Sequence, residues 1–228
     1  MKIGILQTGH SAAPLIPQFG DYDAMFRRLL GGANTSFETW SVVDGAFPTS
    51  AGDADAWLLT GSRCGVYDGD AWIDRLETFV RNADAAHRPL VGICFGHQLI
   101  AQAFGGLVRK FDGGWNVGLK SYDFDGFDKP VKLHAWHQDQ IIEPPAGARI
   151  IATAATCRYA AMRLGDTILT IQAHPEFGAD YVRELATIRA EVVGTENAKS
   201  AAESLDSGSA DDFAPFILDF LHSALPVS

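Results

Sequence analysis

The sequence Pro89-Leu-Val-Gly-Ile-Cys94-Phe-Gly-His-Gln-Leu-Ile-Ala-Gln-Ala-Phe104 predicts a strand, a sharp turn and a helix in immediate succession. Leu90–Ile93 is a short apolar run typical of a buried strand, and an apolar helical pattern begins directly after Cys94. Gly92 and Gly96 flank the cysteine. A strand and a helix joined by such a turn form a nucleophile elbow, which raises one reactive side chain above the edge of a sheet.

This geometry favours a reactive thiol at Cys94. A cysteine at a helix N-terminus lies near free backbone N–H groups and the positive end of the helix dipole, and both favour the thiolate. The backbone N–H of Phe95 is also placed to bind a developing oxyanion. The alternative is a buried structural cysteine, because a free thiol packs well as a small apolar group. The segment alone leaves both interpretations open.

The first half of the chain alternates short apolar strands with amphipathic helices. The predicted strands are Lys2–Gln7, Phe37–Val43, Ala56–Thr60 and Leu90–Ile93, and the predicted helices are Tyr22–Leu30 and Asp70–Ala83. This order indicates an α/β fold with a mostly parallel sheet covered by helices on both faces. In such sheets ligands bind at the carboxyl ends of the strands, where Cys94 and the Thr60-Gly61-Ser62 turn both fall.

The second half has a different pattern. Between Gly105 and His174 the sequence is β-rich, with five further strands separated by Gly, Pro and Asp turns. These are Leu119–Phe124, Val131–His137, Arg149–Thr153, Tyr159–Leu164 and Ile168–Gln172. Tyr181–Val193 predicts a helix, residues 194–212 predict an exposed and mobile connection, and residues 213–225 predict a C-terminal helix docked by an apolar stripe.

Composition is that of an ordinary globular protein. The chain has 228 residues, 47% of them apolar and 20% charged, which predicts a single domain spanning 1–228. Three dispersed cysteines without a CxxC pair argue against a disulfide framework and fit the cytoplasm. A net charge of −10 disfavours nucleic acid as a partner, and no apolar stretch reaches the length of a membrane span.

A second candidate cluster is His174-Pro175-Glu176, which follows the last predicted strand. Proline keeps the preceding residue extended, so His174 and Glu176 point to the same side. An imidazole oriented by a carboxylate is a general base. Taken alone, the tripeptide also fits a surface turn. Together with an elbow cysteine it predicts a thiol nucleophile whose histidine and acid partners meet it only in the fold.

Gly92-x-Cys94-x-Gly96-x-Gln98, followed by His174-Pro-Glu176, resembles the class I (triad) glutamine amidotransferases. Three further stretches agree with this family, namely Leu58–Ser62, Trp115–Gly118 and Trp136–Asp139. The similarity extends from Ile3 to Phe177 and is closest to the free-standing branch that resembles the amidotransferase domain of GMP synthase. The resemblance implies a flavodoxin-like three-layer sandwich, with the β-rich segment as an addition in the second half.

The resemblance also implies roles for individual residues. Cys94 would attack the γ-carbonyl of a glutamine-like substrate, His174 would protonate the departing amine, and Glu176 would orient His174. The Gly61–Ser62 turn would supply the second oxyanion donor beside Phe95, with the choice between Gly61 and Ser62 open.

Two further positions lie around the substrate in this family. The resemblance implies that Gln98 holds the substrate, since it lies one helical turn after Cys94. For His137 both substrate contact and structural hydrogen bonding are open, and Asp139 is expected to be structural. The sequence predicts no cofactor, because Gly4-x-x-x-x-Gly9-His-Ser lacks the lysine of a phosphate loop and there is no GxGxxG turn. It predicts no metal site, because His134 and His137 point to opposite faces of a strand.

Three functions are compatible with these motifs. The first is hydrolysis or transfer of the γ-glutamyl group of glutamine or a γ-glutamyl compound through a thioester. The second is a glutaminase that delivers ammonia to a separate acceptor-activating synthetase subunit. The third is a non-catalytic thiol sensor on the same scaffold, against which the intact cysteine, histidine and glutamate set argues. The expected partner in the first case is a small-molecule substrate alone.

Overall fold

The computed structural model describes residues 1–225, which fold into strands and helices that alternate along the first half of the chain. The strands are β1 (Lys2–Gln7), β2 (Ser36–Ser41), β3 (Ala56–Leu59), β4 (Leu90–Ile93), β5 (Leu107–Lys110), β6 (Asn116–Phe124), β7 (Val131–His137), β8 (Asp139–Glu143), β9 (Arg149–Ala154), β10 (Cys157–Leu164) and β11 (Ile168–Ile171). The helices are α1 (Ile16–Phe19), α2 (Tyr22–Leu30), α3 (Ala71–Ala85), α4 (Phe95–Ala103), α5 (Ala179–Ile188), α6 (Ala190–Val193), α7 (Thr195–Ser204) and α8 (Ala214–Ser223).

Nine strands form the central sheet in the order β2-β1-β3-β4-β11-β10-β9-β6-β7. The strands from β2 to β11 pair in parallel, and those from β10 to β7 continue the sheet with antiparallel pairing. β5 and β8 form a separate antiparallel ribbon. The predicted flavodoxin-like α/β fold is confirmed, and the β-rich second half extends its sheet.

Alternating side chains direct the two faces of the sheet into two apolar cores. On β3, Leu58 packs in the core that contains α2 and α8, whereas the next residue, Leu59, packs in the core that contains α3 and α4. Both side chains are fully buried. The sheet is therefore the middle layer of three, as expected for strands that are apolar on both faces.

Most predicted elements agree with the structure to within a few residues, but several differ. The predicted helix over Tyr181–Val193 is divided into α5 and α6, and the division falls at Arg189. The ribbon strands β5 and β8 were not predicted. β5 has only four residues, and β8 begins two residues after β7 ends, so neither has a distinct apolar alternation of its own.

The prediction of an exposed connection over residues 194–212 is wrong for a large part of this segment. Helix α7 occupies Thr195–Ser204, and its alanines Ala198 and Ala201 are buried against β6. The Ser204 hydroxyl accepts a hydrogen bond of 2.8 Å from the backbone N–H of Leu119. The segment resembles a linker in composition, but alanine is the strongest helix former and its small side chain permits close packing.

The C-terminal helix docks as its apolar stripe predicts. In α8 the side chains of Ile217, Phe220 and Leu221 are buried in the same core as α2. The predicted single domain includes residues 226–228, which lie outside the described residues. Within residues 1–225, no helix combines the length and the apolar character needed to cross a membrane.

Candidate active site

Cys94 lies between β4 and α4 in a backbone conformation that side chains rarely adopt. Its φ and ψ are 53° and −102°, and the residue is 5% exposed. The close packing of the turn requires the two flanking glycines. A Cβ on Gly92 would lie 2.5 Å from the carbonyl oxygen of Gly96, and one on Gly96 would lie 2.6 Å from Cβ of Leu59. A strained, glycine-flanked residue between a strand and a helix has the backbone geometry of a nucleophile elbow.

His174 and Glu176 form a buried pair just beyond β11. Nδ1 of the imidazole lies 2.7 Å from Oε1 of Glu176, and the side chains are 4% and 0% exposed. The backbone N–H of His174 donates to the carbonyl of His134 at 2.8 Å, which fixes the segment against β7. The ring of Phe177 stacks on the imidazole with centroids 4.0 Å apart. His174 is therefore fixed by three contacts: Glu176 at Nδ1, Phe177 on the face of the ring, and His134 at the backbone.

The charges around His174 favour its protonated form. Burial alone would lower its pKa, but attraction to Glu176 and to the sulfur of Cys94 outweighs this effect and raises the pKa above the ordinary value. A carboxylate is an acceptor only, so Nδ1 carries a proton directed at Glu176. The arrangement places an imidazole beside Cys94, where it can act as the base that a thiol nucleophile requires.

The turn after β3 lies directly against both side chains. A Cβ on Gly61 would come within 2.9 Å of Cε1 of His174 and 3.7 Å of Cβ of Cys94. The hydroxyl of Thr8 donates to the carbonyl of Gly61 at 3.0 Å and holds that oxygen in place. Within residues 1–225, the amide nitrogens of Gly61, Ser62 and Phe95 have no hydrogen-bond acceptor. Among residues 1–225, the turn after β3 and the elbow thus offer three unpaired N–H groups, and an oxyanion hole needs donors of this kind.

Gln98 is buried on α4, and both hydrogens of its amide are used within the protein. Nε2 donates to the carbonyl of Asp139 at 2.8 Å and to Oε1 of Gln172 at 3.0 Å. Its own Oε1 is the remaining polar atom, and the residue lines the same cavity as Cys94. A side chain fixed in this way presents an acceptor, which suits a ligand that carries an ammonium group.

His137 lies at the end of β7 with both ring nitrogens occupied. Nδ1 lies 3.1 Å from the carbonyl of Asp139, so it is the donor, and Nε2 lies 3.1 Å from the amide nitrogen of Asn116. Burial lowers the pKa of His137 to about 3, so the ring is neutral. Of the two roles open from the sequence, this geometry favours structural hydrogen bonding. The carboxylate of Asp139 accepts from the hydroxyl of Tyr67 at 2.9 Å, away from the imidazole.

These residues surround one cavity of about 350 Å³. Cys94, Ser62, Gln98, His137 and His174 line it, whereas Glu176 lies behind His174. The sequence pattern missed a second, mainly apolar wall of this cavity. That wall includes Trp115, Trp136, Leu185, Arg189, Val192 and Val193. Its tryptophans belong to stretches that match the family, but only the folded chain brings α5 and α6 beside them.

The described part of the chain offers no metal centre. In residues 1–225 no three His, Cys, Asp or Glu side chains are grouped to hold a metal ion. His134 and His137 lie on opposite faces of β7, as their spacing predicts.

His97 is fully buried, and both of its ring nitrogens are bonded. One lies 2.7 Å from Oγ1 of Thr170, and the other lies 2.9 Å from the carbonyl oxygen of Tyr159.

Known proteins resemble this chain in sequence and in fold. Over 181 residues the chain is 29% identical to γ-glutamyl peptidase 4 of Arabidopsis thaliana, covering 73% of this chain and 72% of that protein. It is 37% identical over 95 residues to one subunit of the glutamine-hydrolyzing GMP synthase of Saccharolobus solfataricus, covering 39% of this chain and 50% of that one.

A solved glutamine amidotransferase from Methylobacillus flagellatus has the same fold, with a TM-score of 0.78 at 20% identity over 100% of this chain and 96% of that chain. The profile of one family matches residues 42–184 and contains the elbow as well as the His174–Glu176 pair. The chain belongs to the glutamine amidotransferase class-I family.

Proposed function

We propose that this protein hydrolyses γ-glutamyl amides through a γ-glutamyl thioester on Cys94, with His174 as acid and base and Glu176 as its orienting partner. One observation carries the proposal. The strained elbow presents Cys94 to a cavity that His174 also lines, and Glu176 holds the imidazole from behind. The known chemistry of the family, cleavage of glutamine-like amides, is consistent with this assignment.

The first half of the reaction forms the thioester. The Cys94 thiolate attacks the γ-carbonyl carbon of the substrate, and the oxygen takes up negative charge in the tetrahedral intermediate. The N–H of Phe95, with that of Gly61 or Ser62, donates to this oxygen. The intermediate then collapses, the C–N bond breaks, and His174 gives its proton to the leaving nitrogen. Ammonia or an amine departs, and the γ-glutamyl group remains on sulfur.

The second half returns the enzyme to its starting state. A water molecule attacks the thioester carbon while His174 accepts one of its protons. The C–S bond breaks, glutamate leaves, and the thiolate–imidazolium pair forms again. Glu176 stabilises the imidazolium at the start and the end of this cycle, because its Oε1 faces Nδ1 at 2.7 Å. The sum is amide plus water giving glutamate plus amine.

Gln98 and His137 have different roles in substrate binding. The free Oε1 of Gln98 accepts from the α-ammonium group of the γ-glutamyl moiety. His137 is a positioning residue, because Nδ1 bonds the same Asp139 carbonyl that holds the Gln98 amide. Its ring thereby fixes the direction of Gln98 without contacting the substrate through a nitrogen.

The sequence relatives favour a free-standing hydrolase over a subunit of a synthetase. The γ-glutamyl peptidase of Arabidopsis thaliana aligns over 73% of this chain and 72% of its own length, whereas a match to the GMP synthase of Pyrobaculum aerophilum covers 69% of this chain and 31% of that longer protein. The alternative of a glutaminase that supplies ammonia to a synthetase predicts an enzyme that is silent until a partner is added. The alternative of a thiol sensor predicts no turnover at all.

The test is hydrolysis of glutamine and of a γ-glutamyl dipeptide by the purified protein alone. We expect glutamate release by the native protein and none by Cys94→Ala. The matched control is Cys64→Ala, which removes the other thiol that lines the cavity and should retain activity. Turnover by Cys94→Ala overturns the proposal, and activity that appears only with a co-purified partner selects the ammonia-supplying role.

A further inference from the structure

Two groups of residues with different chemistry line the cavity beside Cys94. One group is polar and consists of Gln98 and His137, which the backbone carbonyl of Asp139 holds at the junction of β7 and β8. These two side chains suit the charged γ-glutamyl moiety. The other group lies where α5 and α6 meet the tryptophans, and we call it the leaving-group wall. Its residues are Trp115, Trp136, Leu185, Arg189, Val192 and Val193.

The leaving-group wall begins at the reacting atoms. Phe177 stacks on His174. Phe177 and Leu185 belong to one apolar cluster, and Trp136 packs against this cluster. Trp136 also packs on the neighbouring cluster that contains Val193, and Trp115 packs there as well. The apolar surface is therefore continuous from the imidazole that protonates the leaving nitrogen to α6.

The wall is open and lacks an apolar partner within residues 1–225. Val192 is 58% exposed although it is a large aliphatic residue that lines the cavity. Exposed apolar surface of this kind inside a cleft marks a binding site for apolar groups. Ammonia, the leaving group of glutamine, has no apolar part and would use none of it.

Arg189 adds one positive charge to this wall. It is half-buried at the break between α5 and α6, and its guanidinium forms no hydrogen bond or ion pair with the described part of the chain. The other arginine of this region, Arg183 on α5, forms an ion pair with Asp206 at 3.2 Å. In a protein of net charge −10, an arginine without a carboxylate partner at a cavity wall is suited to a carboxylate ligand.

Resting on the proposed function, we infer that the preferred substrates are γ-glutamyl peptides whose second residue has a large apolar side chain and a free α-carboxylate. The side chain packs on the leaving-group wall, and the carboxylate pairs with Arg189. The bond cleaved is the γ-amide, so the products are glutamate and an apolar amino acid whose amine receives the proton from His174. Arg189 is thus a specificity-determining residue that does not take part in bond cleavage.

The experiment compares four substrates that differ in one feature at a time. They are glutamine, γ-glutamylglycine, γ-glutamylphenylalanine and γ-glutamylphenethylamide, the last of which keeps the aromatic group and lacks the carboxylate. For the native protein we expect kcat/KM for γ-glutamylphenylalanine to exceed that for γ-glutamylglycine by about tenfold or more. We expect kcat/KM for γ-glutamylphenylalanine to exceed kcat/KM for γ-glutamylphenethylamide by about 10- to 100-fold.

Variants at Arg189 separate recognition from a structural role. We expect Arg189→Gln to lower kcat/KM for γ-glutamylphenylalanine by about 10- to 100-fold, mainly through KM, and to leave the phenethylamide rate unchanged. Arg189→Lys should restore part of the loss. Arg183→Gln removes the same charge from α5, outside the cavity, and should change neither rate. The phenethylamide rate also reports whether each variant is folded.

The outcomes distinguish the two proposals. Cleavage of all four substrates at equal rates, or a parallel loss on both aromatic substrates in Arg189→Gln, overturns the inference about Arg189 and leaves the proposed hydrolysis intact. Failure of the native protein to cleave any of the four overturns the proposed function, and the inference with it.

Discussion

Two histidines of this protein each precede an acidic residue by two positions, and both line the same cavity. Nδ1 of His174 faces the carboxylate of Glu176, whereas Nδ1 of His137 faces the backbone carbonyl of Asp139. The pKa of His174 is consequently raised, and burial lowers the pKa of His137 to about 3. Two similar sequence patterns therefore produce one charged imidazole and one neutral imidazole.

The difference lies in where the carboxylate points. Pro175 separates His174 from Glu176 in a bend after β11, and the Glu176 carboxylate turns back to the ring. Asp139 instead begins β8, and its carboxylate extends to the hydroxyl of Tyr67. A His-x-acid pattern thus predicts a general base only where the acid side chain, and not its backbone, contacts the imidazole.

The largest loss of activity is expected when the imidazole of His174 is removed. His174→Gln removes the group that we assign to proton transfer, so kcat should fall by about 10²- to 10⁴-fold. The measurement is steady-state hydrolysis of a γ-glutamyl amide, with circular dichroism as a check of folding. A variant that keeps more than about a tenth of the native kcat contradicts the assignment.

Glu176→Gln tests the carboxylate that distinguishes the two sites. It removes the charge that raises the pKa of His174, so kcat should fall by about 10²-fold and the alkaline limb of the pH–rate profile should move to lower pH. The matched control is Asp139→Asn, which changes an acid that contacts Tyr67. We expect it to change kcat/KM by less than about threefold and leave the profile in place.

The Glu176 carboxylate also determines how the free energy of unfolding changes with pH. Because the folded-state pKa of His174 is raised, protonation of this residue stabilises the native state in full below about pH 6.5, and the contribution is lost as pH rises through the folded pKa. In urea unfolding, the stability difference between the native protein and Glu176→Gln should therefore shrink at alkaline pH. A difference that grows as pH rises would contradict the direction of the shift.

A smaller effect, confined to KM, is expected for His137→Gln. Glutamine can still donate to the Asp139 carbonyl, but it holds Gln98 less rigidly, so KM should rise by about tenfold with little change in kcat. Because His137 is neutral at every pH above its lowered pKa, the pH–rate profile should not move. A shifted profile in this variant would mean that His137 titrates during turnover.

The sequence anticipated the parts of the molecule that depend on local pattern. The strand at Leu90–Ile93 and the elbow at Cys94 follow from an apolar run, two glycines and a helical repeat. Helix α7 could not be predicted in this way, because its buried face consists of alanines and contrasts little in polarity with its exposed face. Its composition therefore resembled that of a linker.

At the site, the residues that belong to motifs were identifiable and their partners were not. Nothing in the order of residues shows that the carbonyl of Asp139 holds both Gln98 and His137, since this depends on the pairing of β5 with β8 and on the packing of α4. Arg189 was likewise hidden within a predicted continuous helix, and only the break between α5 and α6 places it at the cavity.

The most direct test of the central claim is mass spectrometry after reaction with a glutamine-analogue affinity label. The account predicts one adduct, on the peptide that contains Cys94, with none on the peptides of Cys64 and Cys157. An unlabelled Cys94, or a label carried by either of the other two cysteines, would contradict the assignment of the nucleophile.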